Sequence, residues 1–415
     1  MTTDQRLFNP KILQKARQSL EQRFATKLDI LAVEFLSEPE RRNIVLRLRI
    51  KGLTKTIPSS IILKQSLTEK SSASDKDAYA RFARDWAGLE FVTTISQNTH
   101  NVPRFYGGNK KYRFILIEDL GSKHISLVDS LTQPCSDVAI LALTRFMKAL
   151  GSFHAASFGH SPLYEKILKN IHGDSETLED DCDFSLRDLI EKLQCTHKLL
   201  HLDLSTECIR EAENLIRSQL QPGPFTVLTH GDICPDNVFD HKENQDLQLI
   251  DFEWASLRSA LLDGTYLRMS MPTCWCVKAI PNEVINSLEL IYREELKSTI
   301  PAAKDDSAYL KAYTEACGFW VLQQTLPYID SVLDEDRVGP SGPVPENSLW
   351  KSEENWVRPR VLYRLQAFID LSSGKSLLPN LHHMAVTLLA LLIKRWPDTK
   401  PLEFYPSFWP LNNSM

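Results

Sequence analysis

The chain lacks an apolar run long enough to cross a bilayer. Its longest such stretch, near Met384–Ile393, is interrupted by Thr387 and falls well short of the roughly 20 residues a spanning helix needs. It also lacks a basic excess: 48 Lys+Arg face 53 Asp+Glu, a net charge of −5, so no global field recruits nucleic acid or anionic lipid. The opening residues, Met1-Thr2-Thr3-Asp4-Gln5-Arg6, lead to no apolar segment with a small-residue cleavage site, and a cytoplasmic chain is expected. The eight cysteines show no framework of spacing, and without an export signal reduced thiols are expected rather than disulfides. Cys274 and Cys276 sit too close for the usual two-residue-spaced zinc knuckle, no second pair answers them, and His382-His383 has no partner either; no structural metal is expected. What is present is an ordinary globular balance, 43% hydrophobic and 24% charged in 415 residues, which excludes wholesale disorder. At about 150 residues per domain the length suggests two units.

The N-terminal part reads as α+β. Pro10 opens a run in which Ile12, Leu13, Ala16, Leu20 and Phe24 recur at helical spacing, predicting a leading helix. Leu28–Phe35 and Ile44–Ile50 read as strands flanking the polar turn Ser37–Asn43, and Ser60–Gln65, with the run Ile61-Ile62-Leu63 before Lys64, reads as a third. After the breaker Ser71–Asp75, Tyr79, Phe82, Trp86 and Leu89 predict a helix over Asp77–Thr94, with two more strands near Val102–Tyr106 and Tyr112–Ile117. From about residue 122 the texture turns helical: Ala139–Ser157, Phe184–Leu202, Ser205–Leu220, Asn282–Lys297, Ala308–Leu326 and His382–Lys394. The expected division is a lobe over residues 1–120 with a small antiparallel sheet, and a mainly helical lobe over 121–415.

One non-helical island, Phe225–Glu253, interrupts the helices and carries the chemistry. His230-Gly231-Asp232-Ile233-Cys234-Pro235-Asp236-Asn237 puts a carboxylate and a carboxamide five residues apart, and Asp251 follows a β-run fourteen residues after Asn237. Phosphoryl transfer needs this grouping. One acid orients and partly deprotonates the attacking hydroxyl, the role of Asp232, while a carboxylate and a neutral amide, Asp251 and Asn237, can hold magnesium against nucleotide phosphates without excess negative charge. The plainer alternative is a turn in which Asp and Asn bond their own backbone.

The segment Leu228–Phe239 followed by Leu249-Ile250-Asp251-Phe252-Glu253-Trp254 resembles the aminoglycoside phosphotransferase and choline kinase families, which share the bilobal protein-kinase-like fold. The resemblance spans roughly residues 28–270 and implies a catalytic base at Asp232, magnesium ligands at Asn237 and Asp251, and ATP as phosphoryl donor. A kinase-like site also needs a cation on the nucleotide phosphates, held by an acid from a neighbouring helix. Lys64 stands where that cation belongs. Periodicity leaves Asp85 and Glu90 both open as its partner; the run Arg81–Leu89 resembles the family segment that aligns Asp85. Phe114–Gly121 resembles the interlobe hinge, so the segment Glu118, Asp119 and Leu120 is expected to bond adenine through its backbone. Ala149–Ala155 resembles a helix packed beneath the catalytic loop, with His154 and His230 as architecture and Asp263 as a brace of the metal loop.

The pattern departs from the family in one place: the turn Glu38-Pro39-Glu40-Arg41-Arg42-Asn43 has no glycine, whereas such loops commonly let backbone amides approach phosphates. Phosphate contact then falls to Arg41, Arg42 or Asn43. Ser373-Gly374-Lys375-Ser376 is not a P-loop, because the required upstream glycine is Ile369. The run Pro272–Cys276 reads as packing in preference to an acceptor pocket. The expectation is an ATP-dependent phosphotransferase acting on a small-molecule hydroxyl, with amine-bearing acceptors of the aminoglycoside or choline kind left open; the acids Asp330, Asp334, Glu335, Asp336, Glu353 and Glu354 permit such a ligand but read better as a solvated loop. The alternative is a pseudokinase-like binding or scaffold protein. No nucleic-acid or membrane partner is expected.

Overall fold

The computed structural model describes residues 10–37, 41–53, 57–95, 101–173, 178–339, 355–374 and 377–409, with backbone alone at 178–181. The chain divides into two compact units. The first does not stop at residue 120: it runs to His124 and takes in His160–Ser175 and Gln248–Ala255, while the second holds Ile125–Gly159, Glu176–Leu247 and Ser256–Met415. Glu38, Pro39 and Glu40 of the glycine-free turn, Glu353, Glu354, Lys375 and Ser376 lie outside the described residues.

The first unit is built from α1 (Pro10–Phe24), β1 (Leu28–Phe35), β2 (Asn43–Gly52), β3 (Ser60–Ser66), α2 (Ser72–Ile95), β4 (Phe105–Asn109) and β5 (Phe114–Glu118). The strands form one antiparallel sheet in the order β1-β2-β3-β5-β4. Period-two alternation decides which face is dry. Ile44, Leu46, Leu48 and Ile50 of β2, Ile61 and Leu63 of β3, and Phe114 and Leu116 of β5 are buried against Ile12, Ala16 and Leu20 of α1. Lys64, one residue past Leu63, therefore emerges on the opposite face, in register with Val45 and Ile115. Helix α2 carries Asp85 and, one turn later, Gly88, whose lack of a side chain matters: a Cβ there would stand 3.0 Å from that of Phe252. That close approach lets Asp85 Oδ1 accept a hydrogen bond from the Phe252 amide at 2.9 Å.

The second unit is mostly helical, as the 3.6-residue periodicity predicts. Its principal elements here are α3 (Ser136–Ser157), β6 (Thr226–Thr229), β7 (Ser256–Ser259), α4 (Asn282–Lys297), α5 (Asp306–Gln324) and α6 (Val357–Ser372). Gly151 lets α3 and α4 pack backbone to backbone, since a Cβ there would meet Glu295 Cβ at 2.6 Å and the Tyr292 carbonyl at 3.0 Å. Strands β6 and β7 pair antiparallel, Thr229 opposite Ser256, and bracket the island read from sequence. Helix α6 was not anticipated. Its buried face includes Arg360 and Arg364, so its apolar stripe is broken by charge. No helix among the described residues is long and apolar enough to cross a membrane.

Candidate active site

In the first unit three carboxylates surround one ammonium. Lys64 Nζ donates to Asp85 Oδ2 at 2.8 Å and to Asp251 Oδ1, and lies 3.1 Å from Glu253 Oε1. Burial opposes the charge on Lys64, but the three acids outweigh it and raise the ammonium well above the ordinary lysine range. Asp85 also shifts upward, which for an acid disfavours the charge: burial, with repulsion from Asp251 and Glu253, pushes its carboxyl up to about 6 against the pull of Lys64. Glu253 also accepts from Asn43 Nδ2 at 2.5 Å and faces Arg42 at 3.6 Å and Arg81 at 3.9 Å. One carboxylate oxygen from each of Asp85, Asp251 and Glu253 lies within 4.8 Å of the other two, and the Asp251 side chain is 34% exposed. An anionic, oxygen-only donor set of this kind suits a hard cation. Asp251 adopts φ = 70°, a left-handed conformation that Asp tolerates better than most residues.

Sequence periodicity had left Asp85 and Glu90 open; in the fold Asp85 contacts Lys64, whereas Glu90 accepts from Trp86 Nε1 at 2.6 Å. Glu118, Asp119 and Leu120 close β5. Asp119 is held in a two-pronged bond by Arg47 at 2.7 and 3.2 Å, Glu118 Oε2 accepts from the Arg104 amide at 3.2 Å, and the Leu120 carbonyl contacts His124 Nδ1 at 3.0 Å. These side chains serve the protein itself.

The second unit holds the loop after β6. Asp263 braces it: Oδ2 accepts from the His230 amide at 2.6 Å and Oδ1 from the Gly231 amide at 3.2 Å, with Gly231 at φ = 81°. Burial alone would raise the Asp263 carboxyl; His154, 3.3 Å away, and the charges of Arg258 and His230 hold it below the usual range. His154 spans Asp263 and Tyr292, whose hydroxyl is 2.8 Å from Nδ1. On the braced loop Asp232 Oδ1 accepts from Thr273 Oγ1 at 2.5 Å and from the Cys234 thiol at 3.1 Å; Oδ2 has no hydrogen bond among the described residues. Burial raises the Asp232 carboxyl, and the Thr273 and Cys234 bonds partly offset that. Asn237 Nδ2 donates to the Asp232 carbonyl at 2.9 Å, leaving its own carbonyl oxygen as a ligand atom.

Thr273 and Tyr266 were missed in the sequence. The Tyr266 hydroxyl donates to the Gly231 carbonyl at 3.1 Å and sits 3.1 Å from Thr273 Oγ1, so it sets the hydroxyl that touches Asp232. The Pro272–Cys276 run does pack, with Cys274 and Cys276 buried, yet it also delivers Thr273 to the acid. Arg364 fixes this segment by donating to the carbonyls of Met269 at 2.9 Å, Ser270 at 3.3 Å and Pro272 at 3.3 Å.

Removing the cation from a buried cluster is costlier than losing the pair, because the stranded acids stay desolvated. Lys64→Met should destabilise the protein by about 3–5 kcal/mol, with partial recovery in Lys64→Met/Asp85→Leu, read by denaturant unfolding. A single variant as stable as the parent would show that the acids find other compensation.

Among solved structures, a Plasmodium vivax ethanolamine kinase is similar at 13% identity and TM-score 0.39, covering 84% of this chain and 83% of that one. A choline kinase from Streptococcus pneumoniae follows at 12% and 0.37, covering 87% and 99%, and an amicoumacin kinase in complex with AMP-PNP and Ca2+ at 15% and 0.38, covering 94% and 97%. At these values the likeness transfers no residue role. No curated protein matches. The family model described as "Ecdysteroid kinase-like family" matches residues 55–300, more than half of the chain and all eight site residues read from the sequence. The chain thus belongs to the ecdysteroid kinase-like family, and so to the kinases that phosphorylate small-molecule hydroxyls.

Proposed function

We propose that the protein transfers the γ-phosphoryl group of ATP to a hydroxyl of a small molecule, with Asp232 as the base. The observation that carries this reading is the asymmetry of that carboxylate: Thr273 and Cys234 both bond Oδ1, which fixes the plane of the group and leaves Oδ2 for a substrate hydroxyl. Lys64, positioned by Asp85, is the cation for the nucleotide phosphates, and Glu118–Leu120 is the segment for adenine. Asn237 and Asp251 are the magnesium ligands. They fit a hard ion, because both offer oxygen and Asp251 belongs to an acid cluster whose carboxylates outnumber its one lysine. Bound magnesium neutralises phosphate charge as it develops. The protein's own part is alignment: Asp263 and His154 hold the loop, Thr273 and Tyr266 hold the acid, and Asp232 accepts the hydroxyl proton. The family description makes a hydroxylated steroid the first acceptor to assay, ahead of the amine-bearing alcohols that the sequence left open.

Asp232→Asn should lower kcat by about 10²–10⁴-fold while the thermal shift produced by ATP and magnesium stays at its parent value. Turnover at the parental rate would remove Asp232 from the role. The pH profile carries a sign. Because burial raises the Asp232 carboxyl, and the base must be ionised, kcat should fall on acidification through a pKa above the ordinary value of about 3.9. Thr273→Val deletes a bond that favours the ionised form, so the acidic limb should move to higher pH; a limb that stays in place would detach Thr273 from the base.

A further inference from the structure

A cluster of thiols lies in the second unit, next to Asp232, which accepts from the Cys234 thiol. Cys234 and Asp236 come from the loop after β6, and Cys274 and Cys276 from the Pro272–Cys276 run, about forty residues later in the sequence. One ligand atom from each of Cys234, Asp236 and Cys274 lies within 4.8 Å of the other two, and Cys274 Sγ is 2.8 Å from Cys276 Sγ. All three thiols are buried, at 4%, 0% and 0% exposure. Asp236 is held by Trp275 Nε1, which donates to Oδ2 at 2.7 Å; its other oxygen, Oδ1, is buried without a hydrogen-bond partner among the described residues. A buried, unpartnered carboxylate oxygen beside three thiols is an expensive arrangement for a protein that binds nothing there.

We propose that Cys234, Cys274, Cys276 and Asp236 form a binding site for a thiophilic divalent cation, with Zn2+ as its type, separate from the magnesium ligands of the phosphotransfer reaction. The spacing suits three of the four: one donor atom each from Cys234, Asp236 and Cys274 lies within 4.8 Å of the other two, near the separation of ligands around an ion whose thiolate bonds are about 2.3 Å, and Cys276, whose Sγ is 2.8 Å from that of Cys274, moves apart from it on binding. Three sulfurs and one oxygen are a tetrahedral zinc set and a poor one for magnesium, which takes oxygen ligands. The sequence hid the site because Cys274 and Cys276 are too close for a zinc knuckle and their partners stand far upstream. The protein frame is rigid where it matters. Arg360 donates to the carbonyls of Cys274 and Trp275 at 3.5 and 3.4 Å, and Asn355 Nδ2 donates to the Trp275 carbonyl. Asp232, Asp236, Thr273 and Trp275 beside the cluster are partly exposed. On binding, each coordinating thiol loses its proton to solvent. The proton that Cys234 donates to Asp232 Oδ1 is among those released, so loading alters the immediate surroundings of Asp232.

The test uses the full-length, reduced, chelator-treated protein and Zn2+ titrated against a chromophoric competitor. The wild type should take up about one ion per chain, and Cys274→Ser and Cys276→Ser should each weaken binding by about tenfold or more, while Cys195→Ser, at an exposed thiol, leaves it unchanged. Should the serine variants fail to fold, the ¹¹³Cd resonance of the loaded wild type decides alone: a shift typical of several thiolate ligands supports the site, and one typical of oxygen ligands overturns it. A wild type that takes up no Zn2+, or serine variants that bind it as tightly as the parent, also overturn the proposal. None of these readouts depends on turnover, so they stand apart from the phosphotransfer reading.

Discussion

The burial of one ammonium among three carboxylates sets the terms for the first unit. At 2.8 Å the attraction between Lys64 and Asp85 is worth roughly 6 kcal/mol at an effective dielectric constant of about 20, enough to offset the several kcal/mol that burying an ion costs. Asp251 and Glu253 then add charge that the lysine does not cancel. Arg42, Arg81 and Asn43 attend to Glu253, while Asp251, in a left-handed backbone conformation and a third exposed, faces Lys64. Asp85, Asp251 and Glu253 thus stand against Lys64, Arg42 and Arg81, and of the three acids Asp251 is the one most open to solvent.

The second unit solves a different problem, which is to hold an irregular loop in place. The loop from His230 to Asn237 has little regular structure beyond one 3-10 turn, so its backbone amides need partners from elsewhere. Asp263 supplies them for two consecutive residues, and His154 and Tyr292 in turn hold Asp263. Gly151 and Gly264 let the helices carrying these groups approach Tyr292 and Glu295. The loop that carries Asp232 is thus set by residues remote in sequence, an arrangement that favours precision over local propensity.

Much of this was legible in the sequence, for identifiable reasons. Strand alternation fixed which face of β3 is dry and so where Lys64 emerges; the strands near Ile44, Ile61 and Phe114 lie within a few residues of their predicted positions, and the long helices likewise. The spacing of Asp232, Asn237 and Asp251 pointed to a candidate site because those residue types recur where phosphate and metal are held. The misses share one cause: information spread over distant segments. Asp85 was reached only through the family resemblance, because periodicity cannot rank it against Glu90: the close approach at Gly88 is what brings α2 onto Phe252. Helix α6 escaped notice because two arginines are buried on its inner face to bind loop carbonyls, which inverts the usual pattern. Thr273 is an unremarkable threonine until Arg364 folds its segment against the loop, and the thiol cluster needs that same folding.

The central claim is that the acid cluster around Lys64 is completed by a divalent ion. Calorimetric titration of ATP into the wild type and into Asp251→Asn, with magnesium and with chelator, tests it most directly. The account predicts ATP binding that depends strongly on magnesium in the wild type and largely loses that dependence in Asp251→Asn. Equal affinity with magnesium and with chelator in the wild type would contradict it.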